Sequence, residues 1–389
     1  MYESRIKTID ELKPDFEVLK LAIKDSGKCV LQEDINAEMD MPPFNKSAMD
    51  GYACRWEDLE SELSVKEVIP AGKIPQYSLK RGECSKIMTG AAIPENADCV
   101  FKVEDSKSVG ENKVICTDLN SKRNICLKGE DFHKGDILLK KGLIIGPEHI
   151  AVMAANGLQQ VKVSKSPKIG ILVTGSELVE PGEILPIGKI RNSNALQIIS
   201  LLDKMGFNAD YYGIAKDDFD LLQNKIHHII EKNDLTIVTG GASMGDFDFI
   251  PDIIEKLGFK LLWNRTGLKP GNPMSFGVKQ NKYFVGLSGN PVSSLVQFEF
   301  LTKNIIYKLL GASYYPFRIK AILAEDFKRK SADRLGIIPV HVNAQGMIES
   351  IPFNGSAHIN GLAMANALLE FPEGSNELKN GSHAFVRPI

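Results

Sequence analysis

The stretch DLTIVTGGASMGD (Asp234–Asp246) joins a short apolar run to a glycine-rich turn. Two other stretches share this plan: KIGILVTGSE (Lys168–Glu177) and KYFVGLSGNPVSS (Lys282–Ser294). Short apolar runs bounded by glycine are typical of strands that are buried on both faces. Each of the three stretches therefore predicts a strand of a parallel sheet.

Segments with helical apolar spacing separate these strands. They are SNALQIISLLDKMG (Ser193–Gly206), FDLLQNKIHHIIEKN (Phe219–Asn233), DFIPDIIEKLG (Asp248–Gly258) and VSSLVQFEFLTKNIIYKLLG (Val292–Gly311). Strands that alternate with helices predict a parallel sheet with crossover connections. We therefore assign residues 166–314 to a central α/β domain with a parallel sheet.

Turn-rich segments flank this block. Residues 46–136 contain short strand patterns such as NADCVFKVED (Asn96–Asp105), and they predict an inserted, mostly-β domain. Residues 315–389 predict a small C-terminal β domain. The spacing in FEVLKLAIKDSG (Phe16–Gly27) and GPEHIAVMAANG (Gly146–Gly157) predicts helices. Residues 1–45 and 137–165 therefore form a predicted N-terminal linker domain that is discontinuous in sequence.

Composition excludes several classes of protein. The 47 basic and 49 acidic residues leave a formal net charge of -2, which argues against a nucleic-acid surface. No apolar run is long enough to span a bilayer, and no signal peptide is recognisable at Met1. The six cysteines form no CxxC pair, so zinc is disfavoured and reduced thiols in the cytoplasm are expected.

The three glycine-rich turns predict an anion site. In an open parallel sheet, ligands bind beyond the carboxyl ends of the strands, where all three turns lie. Glycine allows close approach of the backbone, helix N-termini supply N–H groups, and Ser176, Ser243 and Ser293 add hydroxyls. Each turn taken alone could be a tight connection only. None has the P-loop pattern or the dinucleotide pattern GxGxxG.

Charged residues surround the same edge of the sheet. The carboxylates are Glu177, Asp217, Asp218, Asp246 and Asp248. Carboxylates beside a phosphate site imply a bridging cation, most simply Mg²⁺, although those that precede helices could be helix caps. Arg265 and Lys269 could neutralise an anion or could be ordinary surface charges. In PPFNKSAMDGYA (Pro42–Ala53), composition alone favours a turn role for Asp50.

The order of the motifs resembles that of the molybdopterin molybdenumtransferases, the MoeA and gephyrin E-domain family. The resemblance covers nearly the whole chain. The matching motifs are PPFNKSAMDGYA, IMTGAAIPENADCVFKVED, LKGEDFHKGD, VTGSELVEPGE with IRNSNA, VTGGASMGDFDF, LKPGNPMSFG and LSGNPVSS. The first and the fifth of these are specific, whereas LSGNPVSS alone would be weak.

The resemblance implies a MogA-like molybdopterin-binding fold and a homodimer whose active site lies between subunits. It implies that Mg²⁺ assists the reaction of molybdate with adenylylated molybdopterin, which gives molybdenum cofactor and AMP. It also implies a MogA-type adenylyltransferase as donor and molybdoenzymes as acceptors, with no nucleic acid and no membrane among the partners. Charge neutralisation and orientation suit this chemistry better than covalent catalysis.

The resemblance implies a role for individual residues of this sequence, wherever they match a functional position of a family motif. The catalytic set is Asp50, Glu177, Asp217, Asp248 and Lys269, of which Asp217 and Asp248 would bind the metal. Asp50, Thr89 and Asp131 should come from the partner subunit. The substrate-binding set is Thr89, Asp131, Gly175, Ser176, Gly240, Gly241, Ser243, Gly245, Arg265, Ser288, Gly289, Asn290, Pro291 and Ser356.

The chain departs from the family pattern at several of these motifs. Arg265 stands where lysine is common, and Ser176 stands where aspartate is frequent. Asn272 replaces a second lysine, which removes one positive charge, and Ser288 replaces a proline. A scaffold that binds molybdopterin without turnover is therefore one alternative function. An adenylyltransferase of the same pathway is another, although the DGYA-containing block argues against it.

Overall fold

The structure, a computed structural model, describes residues 1–120, 122–241, 249–353 and 355–389. They form two compact units. One unit comprises Met1–Glu33, Lys141–Ile150 and Gln160–Ile389, and the other comprises Asp34–Lys140 and Ala151–Gln159. The finer division into four domains stays a prediction.

The described residues form helices and short strands. The helices are α1 (Tyr2–Asp10), α2 (Pro147–Ala155), α3 (Asn194–Met205), α4 (Phe219–Lys232), α5 (Ile250–Lys256), α6 (Pro291–Gln297), α7 (Lys303–Leu309) and α8 (Ile359–Met364). A π-helical turn, Phe298–Thr302, joins α6 to α7.

The strands, in chain order, are β1 (Val18–Ala22), β2 (Ile35–Asn36), β3 (Lys46–Ser47), β4 (Gly51–Cys54), β5 (Leu63–Ile69), β6 (Glu83–Ile87), β7 (Cys99–Lys102), β8 (Ser106–Gly110), β9 (Lys113–Cys116), β10 (Ile125–Cys126), β11 (Ile137–Leu139), β12 (Gln160–Ser164), β13 (Ile169–Thr174), β14 (Leu178–Val179), β15 (Ile190–Arg191), β16 (Ala209–Ala215), β17 (Leu235–Thr239), β18 (Lys260–Arg265), β19 (Leu268–Lys269), β20 (Pro273–Lys279), β21 (Lys282–Leu287), β22 (Ile319–Leu323), β23 (Phe327–Lys328), β24 (Leu335–Val342), β25 (Met347–Ser350), β26 (Ala367–Phe371), β27 (Glu377–Leu378) and β28 (His383–Pro388).

A twisted sheet forms the centre of the larger unit, with the strand order β16-β13-β17-β21-β20-β18. The first four strands run parallel, and β20 and β18 extend the sheet antiparallel. Neighbouring residues in a strand face opposite sides, so Ile237 packs in one core and Val238 in the other. Helices cover both faces, which confirms the predicted α/β domain and gathers the carboxyl ends of β13, β17 and β21 at one edge.

The predicted helix at Phe16–Gly27 is wrong. This segment forms β1, which pairs antiparallel with β12 in the register Val18↔Ser164, followed by a short 3₁₀ turn, Ile23–Asp25. The partner strand lies about 140 residues further along the chain. Pairing with a remote strand overrides local helical spacing, because sheet hydrogen bonds and burial outweigh propensity. The predicted helix at Gly146–Gly157 is confirmed as α2.

The C-terminal residues form a small closed sheet. Its strand order is β19-β24-β25-β22-β28-β26, and the additional pairing of β24 with β26 closes the ring. Its interior is apolar and includes Leu323, Val340, Ile348, Leu369 and Val386. This arrangement confirms the predicted C-terminal β domain and leaves few open strand edges.

The smaller unit is built on a sheet with the order β7-β4-β6-β5-β9-β8, which confirms the predicted inserted β domain. Gly51 is required where β4 crosses close to β7, since a Cβ there would lie 2.0 Å from the Phe101 carbonyl oxygen. Cys54, Cys84 and Cys99 are buried free thiols in its core. Burial raises the pKa of Cys84 to about 12. Across the described part of the chain, no helix has both the length and the apolarity needed to cross a membrane.

Candidate active site

The carboxyl ends of β13, β17 and β21 open into a cavity of about 770 Å³. The predicted site residues that line it are Gly175, Glu177, Asp217, Gly240, Gly241, Ser288, Gly289, Asn290 and Pro291. All belong to the larger unit. The structure therefore brings together residues from all three glycine-rich turns around one space, as the parallel order of the strands requires.

The glycines of the turns allow close backbone contacts. Gly240 adopts φ 95°, and a Cβ at this position would lie 2.2 Å from the carbonyl oxygen of Thr174. A side chain at Gly240 would therefore be both strained and in collision with β13. The N–H of Gly240 donates to Leu287 O over 3.1 Å, so this turn is also held by β21.

The turn after β13 differs from expectation, because it does not lead directly into a helix. It enters β14, which pairs in parallel with β15, and α3 begins only at Asn194. Reciprocal bonds close the turn: Ser176 N–H donates to Asp217 Oδ2 over 2.8 Å, and Asp217 N–H donates to Ser176 Oγ over 3.2 Å. The Ser176 side chain therefore accepts a backbone bond, and Asp217 reaches the cavity while holding the turn.

The two neighbouring aspartates have different roles. Asp218 is the N-cap of α4, and its carboxylate accepts the N–H of Leu221 over 2.9 Å. The helix-cap interpretation is therefore right for Asp218. Asp217 lines the cavity together with Glu177, whereas Asp218 does not.

Polar side chains that the sequence reasoning did not select form part of the cavity wall. Asn194 is 6% exposed, and its Nδ2 donates to Thr239 Oγ1 over 2.8 Å and to Gly289 O over 2.9 Å. Its Oδ1, like Thr174 Oγ1, has no hydrogen-bond partner among the described residues. Asn194 lies in the IRNSNA motif, so a polar pair at the start of an apolar helix was the available signal.

The turn after β21 is held from several sides. Thr239 Oγ1 donates to Ser288 O over 3.1 Å, and Asn290 N–H donates to Ser288 Oγ over 3.2 Å. Ser356 contributes its carbonyl oxygen, which accepts the N–H of Val292 in the first turn of α6 over 3.2 Å. Ser356 thus contacts the helix start, and its neighbour Ala357 lines the cavity.

The predicted cationic residues lie near β19 and do not line the cavity. Arg265 ends β18 and is exposed, while Lys269 is half-buried in β19. Asn272, where the resemblance described above implies a second lysine, closes this loop, because its Oδ1 accepts the N–H of Gly267 over 3.1 Å. The asparagine at position 272 therefore stabilises the loop through a hydrogen bond to its backbone.

In the smaller unit, Asp50 and Thr89 form a pair. The N–H and the hydroxyl of Thr89 both donate to Asp50 Oδ1, each over 2.7 Å. These bonds lower the pKa of Asp50, because both favour the ionised carboxylate. Asp131 lies in a separate turn, where its N–H donates to Met41 O over 2.9 Å.

Several predicted residues lie outside the described part of the chain: Ser243, Gly245, Asp246 and Asp248. The proposed pairing of Asp217 with Asp248 at a metal is therefore not described. Within 1–120, 122–241, 249–353 and 355–389, no three His, Cys, Asp or Glu side chains cluster in a way that could hold a metal ion.

Three family models match the chain in succession. They are described as "MoeA N-terminal region (domain I and II)" for residues 2–157, "Probable molybdopterin binding domain" for residues 170–308, and "MoeA C-terminal region (domain IV)" for residues 320–388. Together they span almost the full length of the sequence.

Similar proteins are known from several organisms. Those named molybdopterin molybdenumtransferase from Staphylococcus aureus (strain Mu50) and from Staphylococcus epidermidis (strain RP62A) are each 35% identical to this chain, over 97% of it and 92% of the relative. The crystal structure of the molybdopterin biosynthesis moeA protein from Pyrococcus horikoshii OT3 is 31% identical, with a TM-score of 0.82 over 100% of this chain and 99% of that one.

Proposed function

Since this chain belongs to the MoeA family of molybdopterin molybdenumtransferases, we propose that it inserts molybdate into adenylylated molybdopterin and releases AMP. Family membership makes the chain a transferase of molybdenum-cofactor biosynthesis that binds molybdopterin. The adenylylated form of the substrate and the release of AMP are the parts that need a test.

One observation carries the proposal: the cavity at the sheet edge combines glycine-rich turns with two carboxylates, Glu177 and Asp217. Backbone N–H groups in glycine-rich turns suit phosphate oxygens, and carboxylates suit a cation that bridges to them. A polyanionic substrate with a phosphoanhydride bond needs both kinds of group. Lys269 and Arg265 would add positive charge from the neighbouring loop.

Mg²⁺ is proposed as the cation because two carboxylates, Glu177 and Asp217, line the cavity. Carboxylate oxygens are the ligands that this ion prefers. Glu177 accepts no side-chain hydrogen bond in the described structure, and Asp217 uses Oδ2 for Ser176 while Oδ1 remains. Glu177 and Asp217, with Asp248 as predicted from the sequence, would hold the ion. When bound, it would neutralise the charge that develops on phosphate oxygens.

Asp50, Thr89 and Asp131 are proposed to complete the site from the partner subunit of a homodimer. The paired donors of Thr89 keep Asp50 ionised, so Asp50 is suited to orient a cation or a polar group of the substrate by its negative charge. A cytoplasmic location, a MogA-type adenylyltransferase as donor and molybdoenzymes as acceptors remain predictions.

The test is AMP release from adenylylated molybdopterin with Mg²⁺, measured with and without molybdate, on the full chain. We expect molybdate-dependent release from the wild type and a loss of about a hundredfold or more in Asp50→Ala, since one preorganised group commonly contributes that much. Asp118→Ala, an exposed turn aspartate of the same unit, is the matched control and should retain full activity. Tight binding of molybdopterin without molybdate-dependent release would refute the proposed reaction.

A further inference from the structure

Gln297, the last residue of α6, is completely buried and connects two separate loops through its side-chain amide. Its Nε2 donates to the carbonyl oxygen of Gly271 over 2.9 Å and also to that of Pro273. Its Oε1 accepts the backbone N–H of Ser288 over 2.8 Å. The amide is therefore used at both ends.

Chemistry determines the orientation of this amide. The carbonyls of Gly271 and Pro273 can only accept hydrogen bonds, and the N–H of Ser288 can only donate one, so Nε2 and Oε1 cannot exchange places. Gly271 also packs directly on the Gln297 side chain, because a Cβ there would lie 3.1 Å from Gln297 Cγ. The Gly271 carbonyl oxygen also accepts a hydrogen bond from Thr266 Oγ1 over 2.7 Å, so Thr266 and Gln297 hold this loop together.

Of the two loops joined by Gln297, one lines the cavity and the other carries Lys269, which is predicted to act on the substrate but does not itself line the cavity. Gly271 follows Lys269 by two residues in the LKPGNP motif. Ser288 opens the turn that lines the cavity, and its carbonyl oxygen is held independently by Thr239 Oγ1 over 3.1 Å. Gln297 thus links the segment of Lys269 to the cavity wall through hydrogen bonds.

The geometry points to Gln297 as a positioning residue that holds the Lys269 segment in register with the Ser288–Pro291 turn, so that both act on one anionic substrate. This inference rests on the proposed function, which supplies that substrate. Gln297 does not touch the substrate itself, because its side chain is enclosed by the protein. Its effect should therefore pass through Lys269 and the turn.

A double-mutant cycle with Gln297→Met and Lys269→Ala tests the inference. Methionine keeps the approximate length of the side chain and removes its donors and its acceptor. We expect Gln297→Met to lower kcat/KM for molybdate-dependent AMP release by about tenfold to a hundredfold, because a small misplacement of a binding group has effects of that size. We expect Lys269→Ala to have a much smaller effect in the Gln297→Met background than in the wild type.

Gln32→Met is the matched control. Gln32 is also a buried glutamine, and its Nε2 donates to Ser164 Oγ over 2.7 Å and to Leu310 O over 2.9 Å; none of these residues lines the cavity. Gln32→Met should lose thermal stability, because it removes two buried hydrogen bonds, while retaining kcat/KM. Additive effects of Gln297→Met and Lys269→Ala, or an equal loss of activity in Gln32→Met, would reduce Gln297 to a packing role and overturn the inference.

A binding measurement separates this inference from the proposed reaction. If the wild type releases no AMP, the proposed reaction is wrong. The Kd of molybdopterin then still tests whether Gln297 positions the binding groups. Gln297→Met should raise that Kd about tenfold, with Gln32→Met unchanged. Unchanged binding in Gln297→Met would overturn the positioning role even if the transferase reaction had failed.

Discussion

Individual polar residues inside buried elements shape the candidate site. Thr174, Asn194 and Gln297 are each at least nine-tenths buried, and each contacts or adjoins a glycine-rich turn. In the sequence these residues stand among apolar neighbours, where a polar side chain usually reads as a satisfied core residue. The backbone groups that Asn194 and Gln297 bond belong to loops remote in sequence, so local spacing does not identify these contacts.

The paired donors of Thr89 lead to a prediction about pH. Both bonds lower the pKa of Asp50, so its carboxylate stays ionised to lower pH than an ordinary aspartate. Thr89→Val keeps the backbone N–H and removes the hydroxyl bond, and it should therefore raise the pKa of Asp50. The acidic limb of the pH profile of AMP release should move to higher pH, because Asp50 becomes protonated earlier on acidification.

The pKa of Asp50 can be followed directly by NMR titration of its carboxyl carbon in both proteins. Thr117→Val, at an exposed position in the same unit, serves as the control and should leave the profile unchanged. An acidic limb that does not move, despite a raised pKa of Asp50, would show that the ionisation of Asp50 does not govern the reaction.

Two adjacent aspartates before α4, Asp217 and Asp218, allow a catalytic role to be tested separately from a structural one. Asp218→Ala removes an N-cap bond and should lower the free energy of unfolding by about 1 kcal/mol, while AMP release stays within about twofold. Asp217→Asn keeps an oxygen that can accept the Ser176 N–H but removes a charge from the cavity. It should lower AMP release by about a hundredfold with little loss of stability.

Chemical denaturation and single-substrate kinetics on the two variants make the comparison. Each variant is the control for the other, since the residues are adjacent in sequence. If Asp218→Ala loses activity as severely as Asp217→Asn, then the start of α4, rather than the carboxylate of Asp217, is what the site requires.

Elements with a clear local pattern of apolar residues were the predictable ones. The strands β13, β17 and β21 and the helices between them follow from apolar runs and helical spacing alone. The segment of β1 was misread as a helix because its partner strand, β12, is remote in sequence. Helix α1 was missed because its sequence is rich in charged residues and it buries only Ile9 fully, so it has no clear apolar face. The glycine-rich turns were found because they follow buried strands. The contacts of Gln297 with Gly271 and Ser288 could not be found in this way, because they form only when the chain is folded.

For the larger unit as a whole, an ion network ties together residues from both ends of the chain. Arg387 Nε donates to Glu370 Oε1 over 2.7 Å, and Arg318 pairs with Glu370 Oε2 over 2.7 Å. Arg387 also donates to the hydroxyl of Tyr2 over 3.2 Å and lies 3.7 Å from the ring centroid of Phe300. The side chains of Arg387 and Glu370 are only 8% and 9% exposed, so neither charge is well solvated.

This network predicts that Glu370→Gln destabilises the larger unit strongly. The substitution keeps the volume of the side chain and leaves the buried guanidinium of Arg387 without its counter-charge, which should lower the free energy of unfolding by roughly 3–5 kcal/mol. Guanidinium chloride unfolding, followed through the buried Trp263 in a Trp56→Phe background, reports on this unit alone. Glu377→Gln is the control, because its carboxylate pairs with Lys328 and Lys379 at the surface and should contribute little. The double variant Glu370→Gln with Arg387→Met should recover part of the lost stability, since no buried charge is then left unpaired.

Equal unfolding midpoints for Glu370→Gln and Glu377→Gln would contradict this prediction. They would mean that the ends of the chain are held by apolar packing and not by the ion network.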